Sequence, residues 1–149
     1  INRDCTGFFS TNCGSLQPDF QWSQRTTLSF DKIDLSLLWR HISSIEQEPL
    51  DVIDSGPFFD GTIGAGVLGV GGRTVNFGKI KAYDYFDLSA RFTASDNLSF
   101  TFTVQNLLDK DPPLVGNNAG STTFNSGNTF PSTYDALGRR YAVSARLSF

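Results

Sequence analysis

The stretch Phe86-Asp87-Leu88-Ser89-Ala90-Arg91-Phe92-Thr93-Ala94-Ser95-Asp96-Asn97-Leu98-Ser99-Phe100-Thr101-Phe102-Thr103-Val104-Gln105 carries the clearest pattern in the chain. Phe86, Leu88, Ala90 and Phe92 alternate with Asp87, Ser89, Arg91 and Thr93. After a break at Ser95-Asp96-Asn97, Leu98, Phe100, Phe102 and Val104 alternate with Ser99, Thr101, Thr103 and Gln105. Period two places successive side chains on opposite faces of a strand, and Ser-Asp-Asn is turn chemistry. The stretch therefore reads as a β-hairpin with one apolar and one polar face.

The same period recurs on either side. Upstream, Trp22, Gln24, Thr26, Leu28 and Phe30 alternate with Ser23, Arg25, Thr27 and Ser29, and after Asp31-Lys32 the residues Ile33, Leu35, Leu37 and Trp39 alternate with Asp34, Ser36, Leu38 and Arg40. Leu38 is the one misfit. At the end, Tyr141, Val143, Ala145, Leu147 and Phe149 alternate with Arg140, Ala142, Ser144, Arg146 and Ser148. The expected strands are about 21–30, 33–45, 82–94, 98–107 and 138–149, all antiparallel neighbours.

The connections are short after Phe30 and Thr93 but long at 46–81 and 108–135, where Gly, Pro, Asn and Ser gather. Structureless loops of that length are uncommon in compact domains. Short turns at one end and long loops at the other are the pattern of a transmembrane β-barrel. Aromatic placement agrees: Trp22, Trp39, Phe86 and Tyr141 lie toward the long-loop end, and Phe30, Phe92 and Phe149 toward the short-turn end. Eight steps of about 3.3 Å from Tyr141 to Phe149, tilted by about 40°, rise roughly 20 Å. That approaches the ~25 Å apolar band between aromatic girdles. An open edge in lipid would leave backbone groups unsatisfied, so closure is required, and bacterial single-chain barrels have at least about eight strands. Five strands therefore describe part of a barrel.

Composition narrows the classes further. The 149 residues are 39% hydrophobic and 18% charged, which is not the signature of a disordered chain. No apolar run reaches the ~20 residues of a spanning helix. A net charge of −3 with no Lys/Arg run gives no nucleic-acid footprint. There is no Met, and the chain opens Ile1-Asn2-Arg3-Asp4, so a processed chain or a fragment is expected. Cys5 and Cys13 are even in number and close together, favouring a disulfide in an oxidising compartment over two free thiols.

Motifs for chemistry are weak. Gly64-Ala65-Gly66-Val67-Leu68-Gly69 matches a dinucleotide fingerprint, but no helical period follows it, and a loop is the better reading. His41 has no nearby nucleophile with an orienting partner, so no triad is expected, and as the single histidine it cannot complete a zinc site with the two cysteines. Asp51, Asp54 and Asp60 miss the calcium-loop spacing. Asn97-Leu98-Ser99 is a sequon at a tight turn, without meaning in a bacterial outer membrane. No catalytic residue, cofactor or metal is expected, and the protein is read as a non-enzyme. More telling is the polar face, where Arg25, Arg40, Arg91, Arg140 and Arg146 accompany Asp34 and Asp87. Charges there need pairing or water, which a hydrated or plugged lumen supplies. These five arginines are the lumen-facing candidates.

Four pieces, in order, resemble one family. Pro131-Ser132-Thr133-Tyr134-Asp135-Ala136-Leu137-Gly138-Arg139-Arg140-Tyr141, followed by a strand ending in Phe149, resembles the carboxyl end of TonB-dependent outer-membrane receptors. Tyr85-Phe86-Asp87-Leu88 with Asn106-Leu107-Leu108-Asp109-Lys110-Asp111-Pro112-Pro113 is similar to the preceding hairpin and loop. Cys5-Thr6-Gly7-Phe8-Phe9, Cys13-Gly14 and Trp39-Arg40-His41-Ile42 are similar to an upstream loop and strand.

The resemblance implies an all-β, antiparallel transmembrane barrel, this chain being about the last five strands of twenty-two, in the bacterial outer membrane. It also implies a plug domain and further strands outside this chain, a TonB complex reached through that plug, barrel-assembly machinery and outer-membrane lipid as partners. The transported nutrient would be of the siderophore, cobalamin or glycan class. Tyr141 and Phe149 would serve as the assembly signal. Residues 1–20 and both long loops would be extracellular, with the Cys5–Cys13 disulfide among them. The alternatives are a small complete outer-membrane barrel or adhesin, which needs three more strands, and a soluble β-sandwich binding module, whose apolar faces would need a second sheet.

Overall fold

A computed structural model describes residues 4–10, 13–48, 62–63, 75–76, 78–115 and 123–149. Its elements in chain order are β1 (Phe8–Phe9), β2 (Gln21–Ser29), β3 (Ile33–Ile42), β4 (Ile45–Gln47), β5 (Thr62–Ile63), β6 (Val75–Asn76), β7 (Lys79–Ile80), β8 (Tyr83–Ser95), β9 (Leu98–Gln105) and β10 (Arg140–Leu147). A single 3₁₀ turn covers Ser126–Asn128, and no α-helix occurs among the described residues. The chain divides into two units.

One unit, Gln21–His41 with Asp84–Asp111 and Leu137–Phe149, is a five-stranded sheet in the order β10-β9-β8-β3-β2. β9 pairs antiparallel with β10, Val104 opposite Tyr141 and Phe100 opposite Ala145, and antiparallel with β8, Val104 opposite Leu88 and Phe100 opposite Phe92. The β8–β9 register shifts between Thr93 and Ser95, beside the turn, where one extra residue is absorbed as a bulge. The β2–β3 hairpin closes through Phe30 N–H to Ile33 O at 2.8 Å, and Thr93 N–H donates to Lys32 O at 2.8 Å to tie β8 to β3. In every strand the alternation of the sequence becomes an alternation of faces.

The apolar face of this sheet is not a core. Leu28, Phe30, Val143 and Leu147 are 57%, 61%, 74% and 57% exposed, and Ile33, Leu35, Phe92, Phe100 and Phe102 are exposed with them. A water-soluble monomer seldom leaves so long an apolar surface bare.

The other unit, built from residues 1–20, 42–83 and 112–136, has a small core. β4 pairs parallel with β1 and antiparallel with β7, giving the order β1-β4-β7. Phe9, Ile45, Ile80, Val115, Phe130 and Tyr134 are buried, each large side chain contributing about 1.5–3 kcal/mol on burial. Phe9 meets Phe130 edge-on at 6.5 Å between centroids, and Tyr83 meets Tyr134 at 5.0 Å. Asn125, also buried, donates to Val115 O and accepts Phe130 N–H at 3.2 Å, pinning the turn through the left-handed residues Asn128 and Phe130.

Cys5 and Cys13 are joined by a disulfide, with 5.6 Å between their Cα atoms. Gly7 has φ +76°, and a Cβ there would fall 2.5 Å from the Asp19 carboxylate, so the glycine is required twice over. Asp4 accepts Thr6 N–H at 3.0 Å, which holds its carboxyl below the usual range. β5 and β6 form a separate antiparallel pair. The continuous strand expected over 33–45 ends at Ile42: Ile45–Gln47 joins the other sheet instead.

Candidate functional site

The five-stranded sheet offers two chemically opposed surfaces. On the apolar face, pairing of β2, β3 and β8 gathers the aromatic residues of one end. Trp22 and Trp39 meet edge-on at 4.6 Å, Trp39 stacks on Phe86 at 5.6 Å, and Trp22 stacks on His41 at 5.7 Å. Trp39 Nε1 donates to Asp84 Oδ1 at 2.8 Å, and His41 Nδ1 lies 2.8 Å from the same oxygen. A partly exposed ring body with a satisfied polar tip is the form aromatic residues take where apolar and wet surroundings meet. His41 thus belongs to this cluster. Farther along, Phe102 and Tyr141 stack at 6.3 Å, with Tyr141 exposed. Phe149 lies two residues beyond β10 and is fully exposed.

The opposite face carries the five arginines. Arg25 donates to Ser36 Oγ at 3.0 Å, and Arg140 Nε donates to Gln105 Oε1 at 3.0 Å. Arg40 Nη2 pairs with Asp87 Oδ1 at 3.2 Å, while its guanidinium lies 5.3 Å from the Tyr85 ring centroid. The same Asp87 oxygen accepts Asn106 N–H at 2.8 Å. Ser89 and Thr103 share a hydrogen bond of 3.1 Å across β8 and β9. Arg91 and Arg146, on β8 and β10, have no ion pair among the described residues and line a depression at the turn end.

Two features were not singled out by residue type. Asn106, φ +51° and buried, closes a ring with Lys110: its Nδ2 donates to Lys110 O at 3.0 Å, and its Oδ1 accepts Lys110 N–H at 2.9 Å. Asp109 Oδ1 then accepts Arg139 N–H at 2.9 Å, next to Gly138 at φ +71°. The loop after β9 is thereby fastened to the residues that open β10, which fixes the register of the last hairpin. Asn directly after a strand is a turn signal, since its side chain mimics a backbone turn. The partners 30 residues away leave no local mark. The glycine-rich motif at 64–69 and Asp51, Asp54 and Asp60 lie outside the described residues. Among the described residues no group of three or more His, Cys, Asp or Glu converges as a metal site.

No protein-family profile and no curated protein matches the chain. Solved structures do. A variant of the ferric enterobactin receptor PfeA from Pseudomonas aeruginosa, in complex with enterobactin, matches with a TM-score of 0.55 and 19% identity over 87% of this chain and 16% of that one. The siderophore receptor PirA from Acinetobacter baumannii matches with a TM-score of 0.52 and 18% identity, over the same shares of each chain. The fold is all-β and antiparallel, and it matches a portion of these outer-membrane barrels. The sheet has one apolar and one arginine-bearing face, and the chain spans 16% of the length of these receptors. Both neighbours are receptors.

Proposed function

We propose that the chain is the C-terminal barrel portion, about the last five of twenty-two strands, of a bacterial outer-membrane transporter that takes up a ferric siderophore with energy from a TonB complex. The observation that carries this reading is the pairing of faces. Tyr141, Val143, Ala145 and Leu147 on β10 continue through Val104, Phe102, Phe100 and Leu98 on β9 to Leu88, Ala90 and Phe92 on β8. Lipid is the cover that suits such a surface, and water or a plug suits the arginine face. Of the siderophore, cobalamin and glycan classes, the first is favoured because PfeA and PirA are siderophore receptors.

In this arrangement the Trp22–Trp39 end faces the extracellular headgroups, and Phe149 marks the periplasmic rim. Residues 1–20, 46–81 and 108–135 lie outside, with the Cys5–Cys13 bridge in the first of them. Plug, remaining strands, assembly machinery and lipid are the partners. The test is a deletion of the full-length gene, with growth on single ferric siderophores as iron source and outer-membrane fractionation of the tagged protein. Loss of growth on at least one siderophore, reproduced by deleting the TonB gene, is expected. Recovery of the protein in the soluble fraction would refute the barrel. Lost uptake of cobalamin or a glycan with unchanged iron acquisition would refute the substrate class.

A further inference from the structure

The unit outside the five-stranded sheet also sets charge beside apolar surface. Around β7, period two buries Ile80 and leaves Lys79 and Lys81 exposed. Lys79 Nζ donates to Glu46 Oε1 at 2.7 Å, across the β4–β7 pair. Lys81 has no ion pair among the described residues. Its charge is the uncompensated one.

Both lysines border a depression of about 210 Å³, whose remaining wall is formed by Tyr83, Pro113, Leu114 and Val115. That wall is held from behind. The Tyr83 ring meets the buried Tyr134 ring edge-on at 5.0 Å. Val115 is buried, its N–H donating to Asn128 O at 2.8 Å and its O accepting from Asn125 Nδ2. Pro112 and Pro113 lead into it with φ fixed by their rings. Leu114, by contrast, is 69% exposed. A wall formed in advance costs a ligand little in ordering.

Size and chemistry narrow the occupant. A cavity of about 150 Å³ already admits benzene, so this depression takes one six-membered ring with its substituents. Tyr83, Pro113 and Leu114 offer such a ring apolar contact, and the Lys81 ammonium offers a point charge to an oxygen anion at its edge. Inorganic phosphate would leave oxygens against the apolar wall without donors. An uncharged ring would gain nothing from Lys81.

We propose that this depression binds an aromatic oxyanion, with Lys81 as its counter-charge. The inference rests on the reading of the chain as part of a ferric-siderophore transporter, and it narrows the ligand. The ring would be one arm of the iron chelate, which places that chelate in the aryl class and not among purely aliphatic hydroxamates.

The test uses the protein in detergent micelles and the ¹⁹F line width of 4-fluorobenzoate. The protein should broaden the line, and Lys81→Gln should weaken binding by about tenfold while Lys81→Arg keeps most of it. Leu114→Glu sets a carboxylate beside the depression and should abolish the broadening. Both positions are exposed, and unchanged heat-modifiable mobility of the variants shows that they fold. Salicylate should displace 4-fluorobenzoate at clearly lower concentration than cyclohexanecarboxylate or inorganic phosphate. Equal displacement by either of these, or broadening indifferent to Lys81→Gln and Leu114→Glu, overturns the site. Growth on single ferric chelates, in a strain without other siderophore receptors, separates the site from the transport reading. Leu114→Glu should slow growth on a ferric tris-catecholate. Deletion of the gene that costs growth on a ferric hydroxamate alone overturns the site and spares the transport reading. Growth unchanged by the deletion on every ferric chelate overturns the transport reading, and the assignment of the ring to a chelate with it.

Discussion

Asn106 holds more structure than any other single polar residue of the sheet unit. Its backbone is left-handed, which Asn tolerates better than most residues, and its side chain makes both bonds to Lys110. Its own N–H meets Asp87, the partner of Arg40. Asn106→Ala removes the two side-chain bonds from a buried place and adds left-handed strain. It should lower the stability of the full-length protein by about 1–3 kcal/mol, read from urea titration of refolding into vesicles. Asn106→Gly keeps the backbone conformation and loses only the bonds, so it should fall between the parent and Asn106→Ala. Equal stability of all three would mean that the Asn106–Lys110 ring contributes nothing.

At the scale of elements, β10 tests the assignment of faces most sharply. Ala145 pairs with Phe100 on the apolar face, and Ser144 pairs with Thr101 on the polar face. Arginine at the bilayer midplane of a barrel costs about 2–4 kcal/mol on the lipid side. Ala145→Arg should therefore hinder folding into bilayers clearly more than Ser144→Arg. Ser144→Arg joins a face with Arg140 and Arg146, a repulsion that water screens. A reversed order would shift the register of β10 by one residue. Just beyond the strand, deletion of Phe149 should reduce outer-membrane insertion far more than Ser148→Ala, measured by heat-modifiable mobility of membrane fractions; equal insertion would remove its role as an assembly signal. Strands such as β8, β9 and β10 were legible because period two survives over eight or more residues. The break after Ile42 was not, since Ser43-Ser44 interrupts no alternation strongly enough to announce that Ile45 turns to a different sheet. Strands of two or three residues, β1, β4 and β7, have no period to read, and their pairing joins segments more than thirty residues apart. The arginine face was legible as a face. Its individual partners were not, because Arg40–Asp87 and Arg140–Gln105 depend on cross-strand register.

At the scale of the molecule, the five-stranded sheet has two chemically marked ends. The Trp22–Trp39–Phe86 cluster marks one end, and Phe30, Phe92 and Phe149 mark the other. Indole rings with a bonded N–H settle at the headgroup level, since the ring prefers hydrocarbon and the donor needs a polar partner. Trp39 has that partner in Asp84, at 2.8 Å. Fluorescence of the protein in vesicles, taken as a difference against Trp22→Phe/Trp39→Phe, isolates the signal of these two rings. Lipids carrying a quencher near the headgroup should quench that difference signal more strongly than lipids carrying it at the chain end. A water-soluble quencher should reach it only partly. Stronger quenching from the chain end would move the cluster to the bilayer centre, where the carboxylate of Asp84 would lack water. Quenching by the aqueous agent alone would take the apolar face out of lipid altogether, and a second sheet would then have to cover Leu35, Phe92, Phe100 and Val143.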